Sequence, residues 1–146
     1  MIEIDWGIVW PNVSEAIEGH IAANREHLLT EDVLRFTTAL ELERSGIDPK
    51  GILTEYRLPM EIGGYVDLVI GDPPSAAVEF KFPRDPKDLS SADTMTYGEL
   101  LKDFLRMATL GVTDGWIVLL IGDRLRGYFP GERSTPSLGT QMKCSD

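Results

Sequence analysis

Asp67, Glu79 and Lys81 are the residues whose types and spacing suit this chain to chemistry. They fall in Gly63 to Phe82, GGYVDLVIGDPPSAAVEFKF, which reads as two short strands joined by a tight turn. Val66, Leu68 and Ile70 alternate with Asp67 and Val69, the period-two pattern of a strand. Gly71-Asp72-Pro73-Pro74 ends that strand, because prolines lack the ladder donor and Gly-Asp favours a turn. In the next strand Val78, Phe80 and Phe82 share one face, and Glu79 and Lys81 share the other. Charged groups inside apolar strands are costly unless they are paired or put to use. Paired carboxylates suit Mg2+, a hard cation that takes oxygen ligands and keeps several waters. Such an ion polarises a phosphoryl oxygen, and a lysine beside it orients or deprotonates water or neutralises transition-state charge. The expected chemistry is hydrolysis of a phosphodiester. The alternative is a structural Glu79–Lys81 pair beside an unrelated surface aspartate.

Asp67, an eleven-residue gap and then Glu79-Phe80-Lys81 resembles the core motif of the PD-(D/E)XK nuclease superfamily. Val66 stands where the motif usually has proline. The resemblance implies a restriction-endonuclease-like fold and metal-dependent cleavage of DNA, occasionally RNA, in defence, restriction or repair. Asp67 and Glu79 would be ligands of Mg2+, with Mn2+ able to substitute, and Lys81 would position or activate water. It also implies a further carboxylate from a helix preceding the sheet, for which Glu31, Glu41 and Glu43 are the candidates. Leu29-Thr30-Glu31-Asp32-Val33 resembles the start of that helix in some members, which selects Glu31. A first-turn glutamate also stabilises a helix end without any further role. The segment Gly98 to Met107 resembles the helix that follows the Glu-x-Lys strand. Lys102 and Arg106 would there reach nucleic acid, with Asp103 fixing one of them; an ordinary charged surface stripe is the plainer account. Arg84 and Lys87, in the polar loop after Phe82, are candidate phosphate contacts; on an earlier strand Glu55 is a secondary metal-site candidate and Arg57 a residue that would approach phosphate or simply pair.

The surrounding elements follow from periodicity and caps. Ile2, Ile4, Trp6, Ile8, Val9 and Trp10 give a short apolar opening closed by Pro11. A helix is expected from Asn12 or Ser14 to about Leu28, and a second from the Thr30 cap to Arg44. Its core stripe would be Val33, Leu34, Phe36, Ala39, Leu40 and Leu42. Ile52 to Pro59 reads as a first strand, and Thr96 with Glu99 as the capping box of a third helix. Gly115 to Ile121 is apolar enough for a strand covered on both faces, and Arg126 to Phe129 reads as one more. The order predicts an α/β domain over 1–130, with a mixed sheet flanked by helices. Residues 131–146, rich in Gly, Pro, Ser and Thr, read as a polar tail or linker.

With 146 residues, 42% apolar and 26% charged, the chain has the makeup of one globular domain. No apolar run approaches a membrane span and no basic segment opens the chain, so a cytoplasmic protein without membrane contact is expected. Cys144, His20 and His27 have no zinc-ligand spacing. The net charge of −10 argues against tight nonspecific DNA binding. It is uneven: residues 1–49 carry ten acidic and three basic groups, and residues 50–146 carry fourteen and eleven. A homodimer or a place in a larger complex would supply the missing grip on substrate. The competing reading is a catalytically inactive nuclease-fold subunit serving as a binding or assembly module. An acidic protein mimicking DNA is a third, opposed by carboxylates set in apolar strands.

Overall fold

The chain enters its first helix at Trp6, where the Asp5 carboxylate accepts the Gly7 N–H at 3.0 Å. The computed structural model describes residues 3–60, 62–82, 92–120 and 141–144. Helix α1 (Trp6–Ala22) therefore starts ahead of the expected Asn12 or Ser14 cap and passes through Pro11. Trp6, Val9, Trp10, Val13 and Ile17 are buried at helical spacing, while Gly7 and Pro11 lie on the exposed face. Proline removes one intrahelical bond there, and that loss is tolerable where solvent reaches the helix. Stacking of Trp6 on Trp10, with centroids 5.1 Å apart, and of both against Trp116 secures the helix to the sheet. The helix ends at Ala22, and residues Glu26–Leu28 form a separate 3-10 turn.

Helix α2 (Glu31–Arg44) begins as its sequence predicts: the Thr30 hydroxyl oxygen accepts the Val33 N–H at 3.2 Å. The buried line is Leu34, Thr38 and Leu42, with the Thr38 hydroxyl donating to the Leu34 carbonyl at 2.9 Å. Phe36 and Leu40, expected in the core stripe, are 59% and 53% exposed. Helix spacing puts them on a different face from Leu34 and Leu42, and one helix face suffices to cover the sheet.

Strands β1 (Ile52–Arg57), β2 (Tyr65–Ile70), β3 (Ala76–Lys81), β4 (Asp114–Leu119) and β5 (Gln141–Cys144) form one mixed sheet in that order. The β1–β2, β2–β3 and β4–β5 pairs are antiparallel; β3 and β4 run parallel. Helix α3 (Ala92–Thr109) supplies the crossover that parallel neighbours need. It starts before Thr96, so that residue lies within the helix and not at its cap. The turn between β2 and β3 uses Gly71 at φ +87°, where a Cβ would approach the Pro73 carbonyl to 3.1 Å. Strand β5 falls in the stretch expected to be a tail after residue 130, and the expected strand at 126–129 lies outside the described residues. Among the described residues, no helix is long and apolar enough to cross a membrane.

Two cores sandwich the sheet. On one face Leu34 and Leu42 of α2 and the buried residues of α1 pack with Leu68, Ile70, Val78 and Phe80. On the other, Leu100 and Met107 of α3 pack with Val69, Ala77, Ile117 and Leu119. Strand β4 contributes to both, Trp116 and Val118 to the first and Ile117 and Leu119 to the second, as its unbroken apolar run predicts. Trp10→Ala should cost about 3–5 kcal/mol of unfolding free energy in urea. Phe36→Ala should stay within about 0.5 kcal/mol of the parent; a large loss there would contradict its exposed placement.

Candidate active site

Asp67 and Glu79 face each other where β2 and β3 part. The ladder runs Ile70↔Ala76, Val69↔Ala77, Leu68↔Val78, and the next pair in that register, Asp67 with Glu79, is no longer bonded through the backbone. Two β-strand donors are thereby freed, and the carboxylates take them. The Asp67 N–H donates to Glu79 Oε2 at 3.3 Å, and the Phe80 N–H donates to Asp67 Oδ2 at 2.7 Å. Two residues on, the Phe82 N–H donates to Glu31 Oε1 at 3.0 Å, which brings the start of α2 to the same opening. Each site carboxylate has one oxygen held by backbone, and Asp67 and Glu79 keep the other for a charged partner.

On the β1 side the ladder also skips this level. Thr54 pairs with Leu68 and Tyr56 with Val66, while Glu55, opposite Asp67, adopts φ +52°. A left-handed backbone costs a side-chain-bearing residue about 1 kcal/mol or more, and such residues cluster at functional sites. Arg35, one helical turn beyond Glu31, reaches into the gap. Its guanidinium lies 3.4 Å from Glu55 Oε1 and 3.8 Å from Asp67 Oδ1, and it pairs with Asp32 as well.

From the opposite face α3 contributes Asp103 and Arg106. Lys81 Nζ is 3.4 Å from Glu79 Oε1 and 3.1 Å from Asp103 Oδ2, the second an ion pair off the angle of a well-aimed hydrogen bond. Arg106 lies 3.7 Å from Glu79 Oε1 and 3.3 Å from Asp103 Oδ1, and it donates to the Tyr65 carbonyl at 3.2 Å. Beside it Gly64 adopts φ +89°, a conformation that favours glycine, while a Cβ there would meet the Arg106 guanidinium only at an ordinary 3.8 Å contact. Glu79 and Asp103 are buried, whereas Asp67, Lys81 and Arg106 keep partial access to solvent.

The predicted Asp67, Glu79, Lys81 and Glu31 thus come together. Arg106 joins them, but it turns inward onto Glu79 and Asp103, and Lys102 is exposed on its own face of α3. Glu41 is a structural residue: it accepts the Asn12 side-chain amide at 3.2 Å and pairs with Arg44. Ten residues beyond Glu31 on the same helix, it is about 15 Å away. Glu43 and Arg57 are exposed, and Glu55 belongs to the rim through Arg35. Arg84 and Lys87 lie outside the described residues. Arg35 and the Asp103–Lys81 contact were not anticipated. Their signals are a cation at i+4 from Glu31, and an acid on the apolar line Leu100–Asp103–Met107.

Burial pushes the Glu79 carboxyl up to about 7, with Asp67 and Asp103 adding to the rise and Lys81 and the Asp67 N–H offsetting part of it. Burial also raises Asp67, against the Phe80 N–H, Lys81 and Arg35. For Lys81, burial works against the charge, but Glu79 and Asp103 outweigh it and hold the ammonium above its ordinary value. Among the described residues no group of three or more His, Cys, Asp or Glu is arranged to enclose a metal. Two fixed carboxylates of hard oxygen donors do fit a Mg2+ that retains most of its waters. No protein-family model matches the chain, and neither a curated protein nor a solved structure matches it.

The raised carboxyls carry a pH signature. Between the ordinary glutamate value of 4.5 and about 7 the folded protein holds a proton that the unfolded chain releases. Metal-free protein should therefore lose stability as pH rises through that window, by up to about 3 kcal/mol. Urea unfolding in chelator on the acid and alkaline sides of the window should show this decline, and Glu79→Gln should flatten it. Equal slopes in the two proteins would contradict the assignment.

Proposed function

We propose that the chain is a metal-dependent phosphodiester hydrolase of the PD-(D/E)XK type with a restriction-endonuclease-like fold, acting on DNA. One observation carries the reading: Glu31, Asp67, Glu79 and Lys81, drawn from a helix and two strands, meet where β2 and β3 part. Asp67 and Glu79 would hold Mg2+ through the oxygens that the backbone does not occupy. The ion would supply Lewis-acid polarisation of the phosphoryl group and charge neutralisation of the leaving oxygen.

The chain's own residues do the rest. The Phe80 and Asp67 N–H groups lock both carboxylates in orientation, so little ordering remains to be done when substrate arrives. Lys81, cationic and partly exposed, is placed to hold the attacking water by hydrogen bonding and to offset charge building on the phosphoryl oxygens. Glu31 steadies the end of β3 through Phe82 N–H and keeps a second oxygen for water. Arg35 and Arg106 flank the carboxylates and offer phosphate contacts in a chain that is acidic elsewhere.

A second reading, an inactive nuclease-fold subunit that binds or assembles, is favoured by the same cations: they already neutralise Glu79 and Asp67 within the chain. The net charge of −10 points the same way. Calorimetry with Mg2+ and with Mn2+, run beside cleavage of plasmid and single-stranded DNA, separates the two. Hydrolysis predicts metal binding that Asp67→Ala abolishes, and a loss of roughly a hundredfold to ten-thousandfold in rate for Lys81→Ala. Folded protein that neither binds metal nor cuts would leave the assembly module.

A further inference from the structure

Lys81, Asp103, Arg106 and Glu79 form a closed ring of alternating charge. Each cation touches both carboxylates, and each lies nearer to Asp103: 3.1 Å against 3.4 Å for Lys81, and 3.3 Å against 3.7 Å for Arg106. Asp103 is only 3% exposed and occupies the line of α3 that otherwise carries Leu100 and Met107. An apolar residue would fill that position at no electrostatic cost, whereas an ionised carboxylate there must be matched by cations. Glu79 by contrast is oversubscribed. One of its oxygens serves the Asp67 N–H and the other faces two cations, before any metal is considered.

We propose that Asp103 is a positioning residue, the carboxylate that keeps Lys81 and Arg106 in place when Glu79 is engaged elsewhere. As a statement about catalysis this rests on the hydrolase reading above. If Glu79 were to hold a metal, Lys81 and Arg106 would each lose one partner and would face added positive charge. Without Asp103 both side chains would be driven off toward solvent. With it, Lys81 stays tied across from β3 to α3, and Arg106 stays between Asp103 and the Tyr65 carbonyl. Lys102, one residue before Asp103 and exposed, is the natural reference for an untethered cation on the same helix.

The test needs neither metal nor turnover for its first arm. Side-chain relaxation of Lys81 Cε and Arg106 Nε is measured by NMR in the parent, in Glu79→Gln and in Asp103→Asn, each checked for folding by its melting curve. Both cations should remain ordered in Glu79→Gln and loosen toward the mobility of Lys102 in Asp103→Asn, where only the more distant Glu79 and, for Arg106, the Tyr65 carbonyl still hold them. Equal loosening by Glu79→Gln, or none by Asp103→Asn, overturns the assignment. In the second arm Asp103→Asn should lower kcat about tenfold to a hundredfold with KM nearly unchanged, since a misplaced group costs rate more than binding. Asp103→Glu should recover part of both order and rate, and it carries the comparison if Asp103→Asn does not fold. An unchanged kcat with mobile cations overturns the catalytic role. A parent protein that cuts nothing while the relaxation pattern holds removes the hydrolase reading and leaves the tether.

Discussion

The architecture of the site depends on a rule about backbone donors: an N–H taken out of water must find an acceptor. When β2 and β3 diverge after Leu68 and Val78, the donors of Asp67 and Phe80 lose their strand partners. The side chains of Glu79 and Asp67 take their place, each carboxylate bonding to the backbone at the other's strand. Glu31 does the same for Phe82. A gap in the ladder would ordinarily be a defect. Here it lets acidic residues sit inside an apolar sheet, because the donors and acceptors satisfy one another. Fixing the carboxylates and parting the strands are one structural event.

Once the carboxylates are there, their charge organises the neighbourhood. Burial disfavours two facing anions, so cations arrive from three directions: Lys81 from β3, Arg35 from α2 and Arg106 from α3. Because α2 and α3 pack on opposite faces, the cluster also ties the two layers of the molecule together at its open end. Such a pairing adds little net stability, since desolvation offsets most of the attraction. What it secures is position. A site with anions held by backbone and cations held by anions has few loose parts.

The sequence disclosed which charged residues gather better than it disclosed their frame. Asp67, Glu79 and Lys81 stand out because charge at period two within apolar strands is expensive, and Glu31 because it opens a well-capped helix. The parallel pairing of β3 and β4 is foreshadowed by a helical segment between two apolar strands. Other features are hidden for physical reasons. Ile4, Trp6 and Ile8 alternate as in a strand, yet the helix begins at Trp6 behind the Asp5 cap, with Trp6 and Trp10 packed against Trp116. Phe36 and Leu40 look like core residues, yet which face of α2 meets the sheet is decided by its partners and not by its own composition. Helix spacing foreshadows the Asp103–Arg106 pair, but Arg35 and the Asp103–Lys81 contact join the site only through tertiary placement, because nothing in the local sequence says that these helices converge. Strand β5 sits in a Gly- and Ser-rich stretch whose composition carries no strand signal.

The left-handed turn of the backbone at Glu55 also bears on the molecule's solution behaviour. Strand β1 is an outer strand of the sheet, and an outer strand presents a row of unpaired donors and acceptors to any passing chain. A regular β1 would be a template for end-to-end association between copies. At Glu55 the row is broken in mid-strand, and an exposed carboxylate and the exposed Arg57 stand where a flat apolar edge would be stickiest. The irregularity beside the carboxylates thus also makes β1 a poorer template for edge-to-edge pairing, so that edge chemistry and site geometry meet in the same residue.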